Sequence, residues 1–200
     1  MLTLKKVAIT GGVACGKTAA CHFFEKYGAY IVSADDIVHN LLNSHKNIQR
    51  QVIDIVGEDV IVEGGLCRER IAEKVFDDKS LLVQLEEILH PAVYSEIDAL
   101  YSRVYNEKKY KAFVVEVPLL FETGRERSFD ITITVIADVE TCRERERKGS
   151  CHRKDDFDAR MLRQLPMVEK ALKADIVIVN DGAIEDLEKK VKDIIHGIIS

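Results

Sequence analysis

Ile9-Thr10-Gly11-Gly12-Val13-Ala14-Cys15-Gly16-Lys17-Thr18 (ITGGVACGKT) stands almost at the start of the chain. Within it, Gly11-x-x-x-x-Gly16-Lys17-Thr18 follows an apolar segment, Leu4–Thr10, and opens a helical pattern over Lys17–Tyr27. A phosphate-cradling loop requires that strand-loop-helix setting. Glycines let the backbone curl until several N–H groups face one phosphate chain, and the following helix adds the positive end of its dipole. Lys17 would supply a point charge between the β- and γ-phosphates, and the Thr18 hydroxyl can ligate Mg²⁺. The expected nucleotide-binding residues are therefore Gly11, Gly12, Val13, Ala14, Cys15, Gly16, Lys17 and Thr18. The plainer alternative is a glycine-rich turn that merely joins strand to helix. The loop specifies a bound nucleotide; it does not specify a reaction.

Outward from the loop, four further β-branched runs stand out: Tyr30–Ser33, Ala112–Val117, Ile131–Ile136 and Ile176–Val179. Nearly continuous apolar runs suit strands buried on both faces of a parallel sheet. Helical patterns separate them at Val139–Lys148, Phe157–Leu172 (interrupted at Pro166) and Ile184–Ile199. The alternation predicts an α/β fold with a doubly wound, parallel, five-stranded sheet. Between the second and third runs, residues 35–109 exceed what a crossover needs. Leu81, Leu82, Leu85, Ile88 and Leu89 recur at helical spacing there, and Val56-Gly57-Glu58-Asp59 and Glu63-Gly64-Gly65 punctuate the segment as turns. It is expected to be an inserted helical lobe, placed where a second substrate can be held.

The chain has 200 residues, 46% of them hydrophobic, and a formal net charge of -5. One domain with an inserted lobe fits that length. A weakly acidic balance argues against general nucleic-acid binding, which needs a basic field. No run reaches the roughly 18–20 apolar residues of a membrane span, and Met1 leads into strand-like sequence without room for a signal peptide. A cytoplasmic protein is expected, with a monomer favoured. The 5 cysteines (Cys15, Cys21, Cys67, Cys142 and Cys151) show no CxxC spacing and are read as reduced thiols. Cys151-His152 has no second Cys/His pair at ligand spacing to make a zinc site.

A kinase also needs a group that orients or deprotonates the accepting hydroxyl, and carboxylates at strand ends supply it. Asp35 and Asp36 follow the second run directly. Asp35 is the candidate base, while Asp36 is expected to cap the helix Ile37–Leu42. Glu116, near the end of an apolar strand, needs a partner: Mg²⁺, directly or through water, or else an internal salt bridge. The run Arg143-Glu144-Arg145-Glu146-Arg147-Lys148 reads as a solvated helix face or as part of a lid. Residues 140–165 would form that lid, with a break at Gly149-Ser150 and Arg153 beyond it. Its arginines would neutralise the transferring phosphoryl group, Arg145 first and Arg147 second.

Taken together, TGGVACGKT, GAYIVSADDIVHNLL, LEEILHPAVYSEI, VVEVPLLFETG and RMLRQLPMVEKALKADIVIVNDG resemble, in order and spacing, the dephospho-CoA kinase family. The resemblance spans essentially the whole chain, and His90-Pro91, Pro118–Glu122 and Ala174–Gly182 are more discriminating than the loop. It implies transfer of the ATP γ-phosphoryl group to the ribose 3′-hydroxyl of dephospho-CoA, with Mg²⁺. It also implies that Asp35 receives the hydroxyl proton, and that Arg68, His90 and Leu119–Glu122 lie along the acceptor pocket. By the same resemblance Arg145 serves as a lid arginine, and Asn180 and Gly182 border the adenine.

Each position has a plainer reading. His90-Pro91 can simply kink a helix, Arg68 can be a solvated helix start, and Asn180-Asp181-Gly182 can be a turn in which glycine supplies positive φ. The chain also departs from the family pattern: Lys17-Thr18-Ala19 replaces a usual Lys-Ser-Thr, Cys142 a frequent glutamine and Val179 a frequent aspartate. Arg147-Lys148-Gly149 stands where a second lid arginine is usual. Cys15 replaces a common serine beside a helix N-terminus and near Lys17, features that favour thiolate. It is expected to be the most alkylation-prone cysteine, protected by Mg-ATP. The competing activities are another small-molecule kinase, acting on a nucleoside monophosphate or a polyol, and a nucleotide-switched binding protein. A guanine switch would carry NKxD, which is absent from the sequence.

Overall fold

The computed structural model describes residues 4–63, 65–76, 78–149 and 156–199. In chain order these form β1 (Lys5–Gly11), α1 (Lys17–Lys26), β2 (Tyr30–Ser33), α2 (Ala34–Ser44), α3 (Lys46–Val56), β3 (Ile61–Val62), β4 (Gly65–Leu66), α4 (Arg68–Phe76) and α5 (Lys79–Glu107). Then come β5 (Ala112–Glu116), β6 (Ile131–Ile136), α6 (Val139–Gly149), α7 (Asp156–Leu162), α8 (Met167–Lys173), β7 (Ile176–Val179) and α9 (Ile184–Ile198). Two compact units result, one built from Met1–Val32 with Val104–Ser200, the other from Ser33–Arg103.

The first unit is organised by a five-stranded sheet of order β2-β5-β1-β6-β7. The central strand β1 runs parallel to both neighbours, with Ile9 opposite Glu116 on β5 and Gly11 opposite Val135 on β6. β6 pairs in parallel with β7, Ile136 opposite Val179. Residues Lys6–Gly11 are all buried, as expected for a strand covered on both faces. Val7, Ile9, Val114, Ile133 and Ile178 join Phe24, Leu187, Val191 and Ile195 in one apolar cluster. The last three, four residues apart on α9, form the stripe that packs that helix inward. This is the doubly wound α/β sheet expected from the five apolar runs.

In the second unit, Ile37, Leu41, Ile48, Val52, Val56, Val60, Leu66, Ile71, Leu85 and Leu89 are buried. Its helices are accompanied by a short antiparallel hairpin between β3 and β4. The N-cap of α2 is Ser33, whose hydroxyl accepts from the Asp36 N–H at 3.1 Å. Asp36 is therefore not the cap; both aspartates sit in the first turn, where carboxylates favour the helix dipole. α5 continues for 29 residues with Pro91 inside it, so His90-Pro91 lies within a helix rather than ending one.

Candidate active site

The phosphate loop connects the buried end of β1 to α1. Gly16 is the helix N-cap at φ 99°, ψ 23°, a left-handed conformation that suits glycine. A Cβ there would run into Asn180 Nδ2, and one on Gly12 would lie 2.7 Å from Met167 Sδ. Ala14 takes a left-handed conformation too, at φ 54°. The first turn of α1 has no acidic residue, so the positive end of its dipole is not neutralised. Lys17 Nζ lies back over the loop, donating to the Gly12 carbonyl at 2.7 Å and to Gly11 at 3.4 Å.

Thr18 Oγ1 donates to Glu116, 3.2 Å from Oε1 and 3.4 Å from Oε2. Glu116 reaches this place because β5 lies directly beside β1 in the sheet. The Cys21 thiol, one turn further along α1, also meets the carboxylate, and burial followed by the Glu116 charge pushes its pKa far up. The Thr18–Glu116 pair fits a hard divalent cation. Six-coordinate Mg²⁺ with bonds of about 2.1 Å holds neighbouring oxygens about 3 Å apart. Among the described residues no group of three or more His, Cys, Asp or Glu could hold a metal, so phosphate oxygens and water would complete its shell.

Cys15 is fully buried within the loop. Burial raises its thiol pKa, outweighing the lowering pull of Lys17. The expectation of a reactive thiolate at Cys15 is therefore corrected: burial outweighs the nearby Lys17 cation. Its carbonyl accepts from Asn180 Nδ2 at 2.8 Å. Asn180 thus ties the end of β7 to the loop, a contact that the sequence did not reveal. Gly182 does not have positive φ, so the plainer reading of a turn glycine does not hold for it. Its constraint is space: a Cβ would lie 2.7 Å from Asp186 Oδ2, the oxygen that accepts from Ala183 N–H at the start of α9.

In the expected lid, α6 and α7 are joined by charge pairs. Arg143 makes two 3.0 Å bonds to Asp158, and Arg160 reaches Glu146 at 2.8 Å. Arg147 is exposed, whereas Arg145 is half-buried. One guanidinium nitrogen of Arg145 is buried with no hydrogen-bond partner among the described residues. Cys142, on the first turn of α6, packs in the same buried cluster as Cys15 of the loop, and burial raises its thiol to about 11. The expected positions Ser150, Cys151, His152 and Arg153 lie outside the described residues.

Leu119 is partly exposed at the turn after β5. Glu122 is engaged within the first unit: Oε1 lies 2.8 Å from Lys170 Nζ and accepts from Leu165 N–H at 2.8 Å. Lys170 is fully buried, and its Nζ also donates to the Pro118 carbonyl at 2.8 Å. Sequence reading missed this lysine. In the second unit, Asp35 is an exposed first-turn residue of α2, Arg68 is an exposed first residue of α4, and His90 is half-buried on α5. The structure thus brings Lys17, Thr18, Glu116, Cys15 and Asn180 together around one loop, while Asp35, Arg68 and His90 belong to the second unit.

Comparison with known proteins extends this geometry. The family model described as Dephospho-CoA kinase matches residues 5–186. The chain is 41% identical to the dephospho-CoA kinase of Protochlamydia amoebophila over 195 residues, covering 97% of this chain and 96% of the relative. It is 44% identical to that of Chlamydia felis over 199 residues, covering 99% and 98%. Among solved structures, a Thermus thermophilus protein superposes with TM-score 0.82 at 27% identity, covering 97% of both chains. The Campylobacter jejuni dephospho-CoA kinase does so with TM-score 0.71 at 25% identity, covering 96% of both. On its phosphate loop, its sheet and these full-length matches, the chain belongs to the dephospho-CoA kinase family.

Proposed function

We propose that this enzyme transfers the γ-phosphoryl group of ATP to the ribose 3′-hydroxyl of dephospho-CoA, giving coenzyme A and ADP, the last step of coenzyme A synthesis. The observation that carries the reading is the loop with Lys17 above it and Thr18 against Glu116, in a chain of this family.

Phosphoryl transfer depends on positioning and charge neutralisation. Loop amides from Gly11 to Thr18 and the N-terminus of α1 receive the β- and γ-phosphates, with Lys17 turning from the loop carbonyls to the phosphate oxygens. Arg145 supplies a second cation from α6, supported by its buried guanidinium nitrogen that has no hydrogen-bond partner among the described residues. Asp35 accepts the 3′-hydroxyl proton as the ribose oxygen bonds to the γ-phosphorus and the bond to the bridging oxygen of ADP breaks. Asn180 and Gly182 border the adenine; Arg68, His90 and Leu119 serve the acceptor side, while Glu122, engaged by Lys170 and the Leu165 N–H, backs that side without touching the acceptor.

Thr18 and Glu116 would hold Mg²⁺, Glu116 directly or through water, and the cation would offset phosphate charge. A monomer acting in the cytoplasm is part of the same proposal. The four described cysteines are free thiols, and no described helix is long and apolar enough to cross a membrane. The test is to incubate the chain with Mg-ATP and dephospho-CoA and analyse the product by mass spectrometry. One added phosphate on the ribose is expected; unchanged dephospho-CoA, or phosphate elsewhere, contradicts the reading.

A further inference from the structure

α8 is turned inside out relative to its composition. Val168 and Leu172 are 71% and 82% exposed, while Lys170 between them is 0% exposed. Burying an ammonium is costly unless it is paired and hydrogen-bonded. Lys170 meets that condition through Glu122 Oε1 and the Pro118 carbonyl, both at 2.8 Å, with Gln164 Oε1 at 3.4 Å. Even so, burial pulls its pKa down, and Lys17 adds to that pull across the loop.

Its partners lead to the phosphate site. The Pro118 carbonyl also accepts from Thr10 Oγ1 at 3.1 Å, and Thr10 immediately precedes Gly11. Val117 N–H donates to the Ile9 carbonyl at 2.8 Å, so the strand end carrying Glu116 is fastened to the strand end carrying the loop. On the same helix, Met167 presses against Gly12. Glu122 holds Leu165, where α7 gives way to α8.

We propose that Lys170 is a positioning residue for phosphoryl transfer: its ammonium clamps the Pro118 carbonyl and Glu122, and so sets Glu116 against Thr18 and the loop beneath Met167. It touches no substrate. The clamp rests on the kinase reading above, because its purpose is to hold phosphate and cation ligands in register, and displacements near 1 Å at such sites cost on the order of 100-fold in rate.

A merely structural ion pair would behave differently. Replacing a buried pair by two apolar side chains is often neutral or stabilising, so Lys170→Met with Glu122→Leu separates fold stability from the clamp. The expected result is that Lys170→Met lowers kcat roughly 10- to 100-fold and speeds hydrogen exchange at the amides of residues 13–18 more than at those of α9. Lys170→Arg, which keeps charge and donors, should recover part of the rate. The double variant should regain the melting temperature but neither the rate nor the loop protection. Recovery of kcat together with stability in the double variant, or exchange that rises equally in the loop and α9, overturns the proposal. If the unaltered chain did not phosphorylate dephospho-CoA, the kinase reading would fail, while the exchange comparison would still decide the clamp.

Discussion

Glu116 Oε1 stands 3.2 Å from Thr18 Oγ1, although 98 residues separate them in the chain. The contact exists because β5 and β1 are neighbours in parallel register, Glu116 opposite Ile9, and the loop returns α1 over the end of that pair. If the two oxygens hold a cation, Glu116→Gln should lower kcat by about 10²–10³-fold while binding of Mg-free ATP changes little. Steady-state kinetics with calorimetry of Mg-free ATP checks this; full turnover in the variant would leave Glu116 with a structural role only.

Asp35 gives a second expectation. Ser33 already caps α2, so Asp35 is not needed to start the helix. Asp35→Asn should reduce kcat by something like 10²–10⁴-fold with ATP affinity nearly intact and the melting temperature little altered. Turnover at the unaltered rate would remove the base assignment.

The cysteines should react in an order opposite to the one read from sequence. Cys15, Cys21 and Cys142 are buried and Cys67 is partly exposed, and burial raises the thiols of the first three. Among the described cysteines, brief iodoacetamide treatment of the native protein should label Cys67 first, with Cys15 spared whether or not ATP is present. Peptide mapping that finds Cys15 labelled ahead of Cys67 would contradict the buried loop.

Why some features were legible and others not follows from where side chains point. β1, β5 and β6 were readable because strands covered on both faces leave contiguous apolar runs; β7 was readable from its β-branched residues alone, since Val177 and Val179 are exposed on this edge strand. β3 and β4 have two residues each, too few for any period to show. α8 was readable as a helix, yet Val168 and Leu172 are exposed and Lys170 is buried, so amphipathic reasoning selects the wrong face. The loop and Glu116 were visible as residue types at strand ends. The Asn180–Cys15 and Lys170–Glu122 contacts span 165 residues and 48 residues (170 − 122) and rest on strand order, which one sequence does not display.

Ala14 carries a cost that can be measured. At φ 54° a left-handed alanine loses roughly 1–2 kcal/mol, offset by the roughly 0.5–1 kcal/mol that glycine gives up in chain entropy. Ala14→Gly should therefore stabilise the protein by about 0.5 kcal/mol, raising Tm by about 1–2 °C. Calorimetry showing a lower Tm would mean that the Ala14 methyl contributes more in packing than its backbone costs.

Asp175 sets one limb of the acid stability. Its carboxylate accepts from Thr132 N–H at 2.8 Å and from Thr132 Oγ1 at 2.7 Å, and these bonds hold its pKa below the usual 3.8. A depressed folded pKa gives stability that is complete above the unfolded value and lost as pH falls through the folded one. Because Asp175 is exposed, the contribution should be modest, about 1 kcal/mol. In urea titrations, Asp175→Asn should be less stable than the unaltered protein at pH 7, and the gap should narrow as pH falls below 3.8. A gap that stays constant as the pH falls would assign the effect to shape rather than charge.

ADP release decides which acceptor the enzyme takes. With Mg-ATP fixed, kcat/KM for dephospho-CoA is compared with values for nucleoside monophosphates and polyols. ADP release is expected to require dephospho-CoA, with the other acceptors slower by at least about 10³-fold, as when a site is built to bind one acceptor. Equal rates with all acceptors, or none with dephospho-CoA, would overturn the assignment.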